Sequence, residues 1–327
     1  NVNIYGSESA GTTSGKFDNA VDIDSGDTNW MGLTIGAVAN ANINFKNCEI
    51  KSKGFTCLHA AAYDGITFEN CDIKAELDPN MLANANTNLW GSSVKFIRCK
   101  NIKFLRNNFR GSHATSVWLQ GVVGFLAMNN VFWNDNKQFT TGSEDNNSAI
   151  IRLINYDASN NEHKVQNIGM YYNTMYLADS DNSKSVNFLT LGGKASGSPA
   201  QSKDGTYYDF NTIDFKYNNC YSYDKNVPGR TSDAFCSVDI SKSTHITNNN
   251  FWAAKDGANF SFGSETKNVN MSLNGGIVCE TASNTPEGLV IKGSGLNFGT
   301  HLESGYKFSL IIHIKKRTNA KHIAYKP

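Results

Sequence analysis

A chain of 327 residues with 39% hydrophobic and 18% charged residues can bury a large core, in one elongated domain or in two compact ones. No run of about 18 apolar residues occurs, which argues against a membrane-spanning helix. The formal charge is +1, but six Lys or Arg fall within 307–327, where there is no Asp or Glu; without them it drops to −5, and a mildly acidic body argues against nucleic acid as the main partner.

In chain order, residues 1–39 open with a Gly/Ser/Thr-rich stretch and then carry Val21-Asp22-Ile23 and Leu33-Thr34-Ile35, which predict one or two irregular coils. The start at Asn1, without Met or a signal-like segment, reads as a mature form or an excised fragment, with other domains of a larger chain as candidate partners. From about 40 to 280 one unit recurs: a short apolar strand, a pair of small polar residues, then a large apolar residue. The second residue of each set is Cys48, Cys71, Asn107, Asn130, Asn173, Asn219 and Asn249. The inward residues two positions on are Ile50, Ile73, Phe109, Phe132, Met175, Tyr221 and Phe251. Asparagine is abundant (43 residues), and its fixed placement beside aromatic residues reads as a repeat rather than as low complexity. Small hydrogen-bonding side chains stacked at one turn predict a ladder, in which each amide satisfies the backbone and amide of the neighbouring coil.

The shortest interval between these residues, 23, suits one coil of three short strands and three turns. Strand one is predicted at 56–59, 94–97, 117–120, 151–154, 186–189 and 236–239. Strand two includes 66–68, 102–104, 125–127, 168–170, 213–215 and 246–247, and strand three follows the ladder turn. The segments are β-branched or aromatic-rich, and no amphipathic stretch predicts a helix. Insertions at 75–92, 134–148, 178–185 and 223–232 share one position in the coil, and two more at 157–164 and 193–210 follow one strand later. Loops that leave one side of a solenoid usually wall a binding cleft. Residues 281–327 predict a loop-rich end with a basic tail from 308.

Seven cysteines show no metal-ligand spacing. Cys48 and Cys71 would share a ladder rung about 4.8 Å apart. That suits either a disulfide or two small buried ladder residues.

The repeat resembles the right-handed, single-stranded parallel β-helix of the pectate-lyase-like superfamily over roughly residues 20–280. The resemblance implies an all-β solenoid with three sheets per coil and an internal Asn/Cys ladder, in which polysaccharide lies along the outward face of the first sheet. The segment Asn107-Asn108-Phe109-Arg110-Gly111-Ser112 is similar to the Asn-x-Phe-x-Gly-Lys stretch of the chondroitinase-B and alginate-lyase branch, with Ser112 where that branch has Lys. The motifs of polygalacturonases, and the Arg-containing signature of the common pectate lyases, are absent.

Aligning the coils by the ladder puts His59, Lys95, Trp118, Arg152, Asn187 and Ser237 in one outward column of strand one, with Gln120 and Asp239 two residues on. β-Elimination from a uronic-acid polymer needs a cation on the carboxylate, a base for the adjacent proton and an acid for the leaving oxygen. Arg152 is the carboxylate clamp. Lys95 is the base if Arg152 lowers its pKa, and His59 is the acid or an alternative base. Trp118 offers an apolar face to a sugar ring. His113, in the turn before Trp118, is a further contact candidate. These residue types suit an acidic polysaccharide or oligosaccharide, although cations on an exposed sheet also serve simply to solvate it. A second outward column on strand three, Lys51, Lys74, Arg110, Trp133, Tyr176 and Trp252, is a rival face from which Arg110 and Trp133 are binding candidates.

A glycoside hydrolase on the same fold would need paired carboxylates. The column supplies only Asp239; Glu144, Asp145, Asp157 and Glu162 lie in flanking loops, where they can pair or hold Ca²⁺. The expected function is a secreted or surface-located polysaccharide lyase, bacterial in type. The alternatives are a non-catalytic glycan-binding β-helix and an adhesive or structural solenoid.

Overall fold

The computed structural model describes residues 3–5, 18–24, 31–34, 42–52, 57–75, 92–111, 115–135, 149–154, 165–178, 187–192, 212–222, 234–241, 243–253, 259–266, 269–273, 278–279, 290–293 and 297–298. The described residues form a right-handed parallel β-helix with no α-helix. Three sheets of nine, nine and eight strands run the length of the solenoid, and every pairing is parallel. One regular coil comprises Thr115–Gln120 in the first sheet, Val123–Met128 in the second and Val131–Asn134 in the third. The preceding coil, Ser92–Ile97, Lys100–Leu105 and Asn108–Gly111, stacks beneath it in register.

Local turn chemistry closes each coil. Between the second and third sheets the first turn residue is left-handed in every case: Asn47, Asn70, Arg106, Asn129, Tyr172, Tyr217 and Asn248 have φ between 53° and 59°. That conformation bends the chain within two residues, and asparagine tolerates it better than most side chains. The next residue points inward and forms the ladder. Asn130 donates its amide to Phe104 O at 2.9 Å and to Asn173 Oδ1 at 2.9 Å, while its own Oδ1 accepts from the Asn107 backbone at 2.8 Å. Asn107, Asn173, Asn218 and Asn249 each donate in the same way to a strand-two carbonyl of the preceding coil. The buried turns therefore leave no ladder amide without partners, as an interior far from water requires.

Two expectations about this stack shift by one residue. Asn218 rather than Asn219 is the ladder residue: it bonds Asn173 at 2.9 Å and Asn249 at 3.0 Å, whereas Asn219 is exposed. Cys220 consequently faces the core with 0% exposure. Tyr221, expected inward, instead pairs with Tyr176 on the outer face, ring centroids 5.3 Å apart. The second asparagine of Asn218-Asn219 makes either register legible in sequence. The core chooses the smaller Cys220, and the Tyr217 ring stacks on Tyr172 at 5.0 Å. Cys48 and Cys71 are free thiols. Cys71 acts as a ladder residue, its Sγ 3.4 Å from Phe45 O, and its backbone N–H donates to Asn107 Oδ1.

Inside, Phe45, Phe68, Phe104 and Phe125 stack along the second sheet with centroids 4.7–5.7 Å apart, and Phe109 and Phe132 continue the column on the third. Alternation along each strand sends its other residues outward, and the parallel register aligns them as stripes. The expected insertions fall outside the described residues, as does the basic tail. The gaps at 76–91, 136–148, 179–186 and 223–233 each join a third-sheet strand to a first-sheet strand; those at 155–164 and 193–211 join the first sheet to the second. Both edges of the first sheet are thus where the chain departs from the minimal coil.

Candidate functional site

The first sheet brings the expected cations together. His59 is the register partner of Lys95, Lys95 of Trp118, and Trp118 of Arg152. Their strand neighbours Val94, Phe96, Val117, Leu119, Ile151 and Leu153 fill the core at 0% exposure. The four side chains therefore leave the opposite, outward face.

Lys95 Nζ lies 5.1 Å from the centroid of the Trp118 ring, and Arg152 Cζ lies 4.4 Å from it. The two cations come from opposite neighbouring coils, so one indole serves both. Trp118 Nε1 donates to Gln120 Oε1 at 3.2 Å, which fixes the ring plane from within the same strand. Desolvated cation–π contacts of this kind contribute about 2 kcal/mol each. The indole holds two cations, which is a different use of its faces from the sugar platform expected of it.

The stripe is less open than an exposed sheet face. Trp118 and Arg152 are 6% exposed and His59 is 0% exposed, while Lys95 is half-buried. Charged side chains are rarely withdrawn this far unless interactions compensate them. Burial, and after it the positive charge of Arg152, together lower the Lys95 pKa to about 8. The sequence anticipated the Arg152 effect; burial is the larger cause. A permanent cation beside an amine that is partly neutral near pH 8 can bind an anion and remove a proton close to it.

The register corrects one member of the column. Asn187, expected beside Arg152, pairs with Ala149 at the start of its strand, and Thr190 stands opposite Arg152 with Ser237 beyond it. Both 186–188 and 189–191 read as apolar, polar, apolar. Packing decides between them, because Leu189 and Leu191 are buried as the register partners of the core residues Ile151 and Leu153. Sequence reasoning also left out Asp22, which is the register partner of His59 at the other end of the stripe. The alternation Val21-Asp22-Ile23 was the available signal.

Arg110 and Trp133 stand on the third sheet, on a different wall from Lys95, in the column Lys51, Lys74, Arg110, Trp133, Tyr176 and Tyr221. Trp133 Nε1 donates to Asp135 Oδ1 at 2.5 Å, and Arg110 Nη2 is 3.6 Å from the same oxygen. Lys74 is held by Asp72 at 2.7 Å and Glu49 at 3.2 Å, so its charge is locally matched. Asp239 lies on the strand Ala234–Ser241, two residues after Ser237. His113, Glu144, Asp145, Asp157 and Glu162 lie outside the described residues. Among the described residues no three His, Cys, Asp or Glu side chains gather as metal ligands, so the Ca²⁺ expectation rests on those loop carboxylates alone.

Comparisons with protein-family models, with curated proteins and with solved structures each return no match. The functional reading therefore rests on the geometry of its own residues. No helix among the described residues is long and apolar enough to cross a membrane.

Proposed function

We propose that this β-helix acts on an acidic, uronate-containing polysaccharide and cleaves it by β-elimination. The observation that carries the reading is the shared indole: Arg152 at 4.4 Å and Lys95 at 5.1 Å from the Trp118 ring centroid, with Lys95 lowered to about 8. Arg152 pairs with the substrate carboxylate and makes the proton on the adjoining carbon more acidic. Neutral Lys95 takes that proton, a carbon–carbon double bond forms, and the bond to the leaving glycosidic oxygen breaks. The ammonium just formed on Lys95 returns the proton to that oxygen. His59, without exposed surface, stands behind Lys95 as a positioning residue. Resemblance to the pectate-lyase-like superfamily supports this reading, and so does the gathering of chain insertions at both edges of the first sheet. A polymeric polysaccharide substrate would be met outside the cell, which supports a secreted or surface-located protein.

A second reading, a glycan-binding β-helix without turnover, is favoured by the burial of Trp118 and Arg152. One experiment separates the two. The full chain is incubated with pectate, alginate and chondroitin sulfate, and the ultraviolet absorbance of the new double bond is followed. Elimination predicts a signal on at least one polymer, and its loss by about 100-fold or more in Lys95→Ala and in Arg152→Ala. Absent signal on all three with retained binding establishes the second reading, and near-normal turnover in either variant removes that residue from the chemistry.

A further inference from the structure

A different cluster occupies the outward face of the second sheet. Ser243 and His245 lie two residues apart on the strand Ser243–Thr247, so both side chains leave the same face. Asp214, on the neighbouring strand Thr212–Lys216, is the register partner of His245. His245 Nδ1 is 2.7 Å from Asp214 Oδ1, and His245 Nε2 is 3.2 Å from Ser243 Oγ. An ionised carboxylate only accepts hydrogen bonds, so the neutral ring carries its proton on Nδ1, and Nε2 is left to accept from the Ser243 hydroxyl.

The carboxylate is held on both oxygens. Lys216 Nζ lies 2.7 Å from Oδ1, and the Tyr171 hydroxyl donates to Oδ2 at 2.8 Å. Burial alone would raise the Asp214 pKa, but hydrogen bonds from Lys216, Tyr171 and His245 outweigh it and keep the carboxyl below its ordinary range. Tyr171 reaches Asp214 across Gly169, the register partner of Asp214 on the other side. A Cβ at position 169 would stand 2.6 Å from the Tyr171 ring, so the missing side chain is what lets the ring lie there.

We propose that Ser243, His245 and Asp214 form an acyl-transfer centre that hydrolyses a carboxylic ester borne on an extended ligand. Hydroxyl, imidazole and carboxylate are linked in the order and with the tautomer that activate a serine, and such a relay is recognised by geometry rather than by fold or chain order. The Asp214 and His245 side chains are 33% and 38% exposed. An open sheet face does not enclose a small molecule, so the ester belongs to a chain held along the solenoid, such as an acylated polysaccharide. Ser243 Oγ bonds to the acyl carbon while its proton passes to His245 Nε2. The ester carbon–oxygen bond then breaks, and the leaving alcohol takes that proton. Water attacks the acyl-serine in the same way: its proton passes to His245, the acyl–Oγ bond breaks, Oγ regains the proton and the free acid departs.

The test uses the unmodified full chain, so it does not depend on whether a variant folds. Treatment with a fluorophosphonate followed by peptide mass spectrometry is expected to give one adduct, on Ser243, with parallel loss of p-nitrophenyl acetate hydrolysis. In His245→Gln and Asp214→Asn, with circular dichroism confirming the fold, the labelling rate is expected to fall by about 100-fold or more. No adduct on Ser243 in the native chain, or equal labelling in folded His245→Gln, overturns the proposal and leaves a surface hydrogen-bond network only.

Discussion

Lys95 Nζ and Arg152 Cζ approach the same Trp118 ring, at 5.1 and 4.4 Å from its centroid, from the coils on either side. Two cations are thereby withdrawn from water with an aromatic ring between them. Burial and like charge both press on the amine, because the guanidinium does not give up its proton.

The pH dependence of the proposed elimination follows. Lys95 is held at about 8 in the folded chain against an ordinary 10.5. Turnover limited by the neutral amine rises with pH through a midpoint near 8, and Lys95→Arg, which keeps the charge and loses the base, is inactive across the range. The same shift has a stability consequence. Between about 8 and 10.5 the unfolded chain binds more protons at this residue, so its contribution to stability rises with pH across that window. The cost is fully present below the folded value. Initial rates and denaturant midpoints measured from pH 6 to 10 check both statements.

Trp118→Leu preserves an apolar, buried environment but removes the ring that favours both charged forms. The Lys95 pKa is expected to fall further, by about 1.5 units for a lost contact of about 2 kcal/mol. An NMR titration of the Lys95 side chain reads the shift. An unchanged or higher value would mean that the indole does not stabilise the ammonium.

Substitutions at the doubled asparagine test the ladder register. Asn218→Ala leaves the Met170 carbonyl and the Asn173 backbone N–H without their partners, at about 1–3 kcal/mol each. Asn219→Ala, on the surface, is expected within about 0.5 kcal/mol of the parent. Urea denaturation of the two variants side by side gives the comparison, and equal losses would contradict the assigned register.

Ala62 is exposed and holds φ at 51° in the turn between the first and second sheets. A Cβ is disfavoured there, so Ala62→Gly is expected to stabilise the chain by roughly 0.5–1 kcal/mol, despite the greater freedom of glycine when unfolded. A raised thermal midpoint with unchanged far-ultraviolet circular dichroism supports the strained turn; a lowered one argues against it.

The coil was legible because its signals are local. A left-handed residue and a small hydrogen-bonding residue recur at every turn from Asn47 to Asn248, followed by a large apolar residue at all of them but the turn at Tyr217, where Cys220 takes that place. The alignment of His59, Lys95, Trp118 and Arg152 was equally legible, since Leu58, Val94, Val117 and Ile151 anchor each strand at the same depth. Where two successive triplets share a pattern, as around Phe188, or where an asparagine is doubled, as at 218–219, the pattern alone allows a slip.

The amino-acid order by itself determined the stacked parallel coils, the asparagine ladder and the cationic stripe, because hydrophobic period and turn chemistry act within a few residues. Only the folded structure decided that Thr190 and not Asn187 follows Arg152, that burial more than charge tunes Lys95, and that Asp214 meets His245 across 31 residues of chain. Those outcomes depend on which side chains fill the interior and how deeply neighbouring strands bury their outer faces, and packing of that kind exists only once distant segments are side by side.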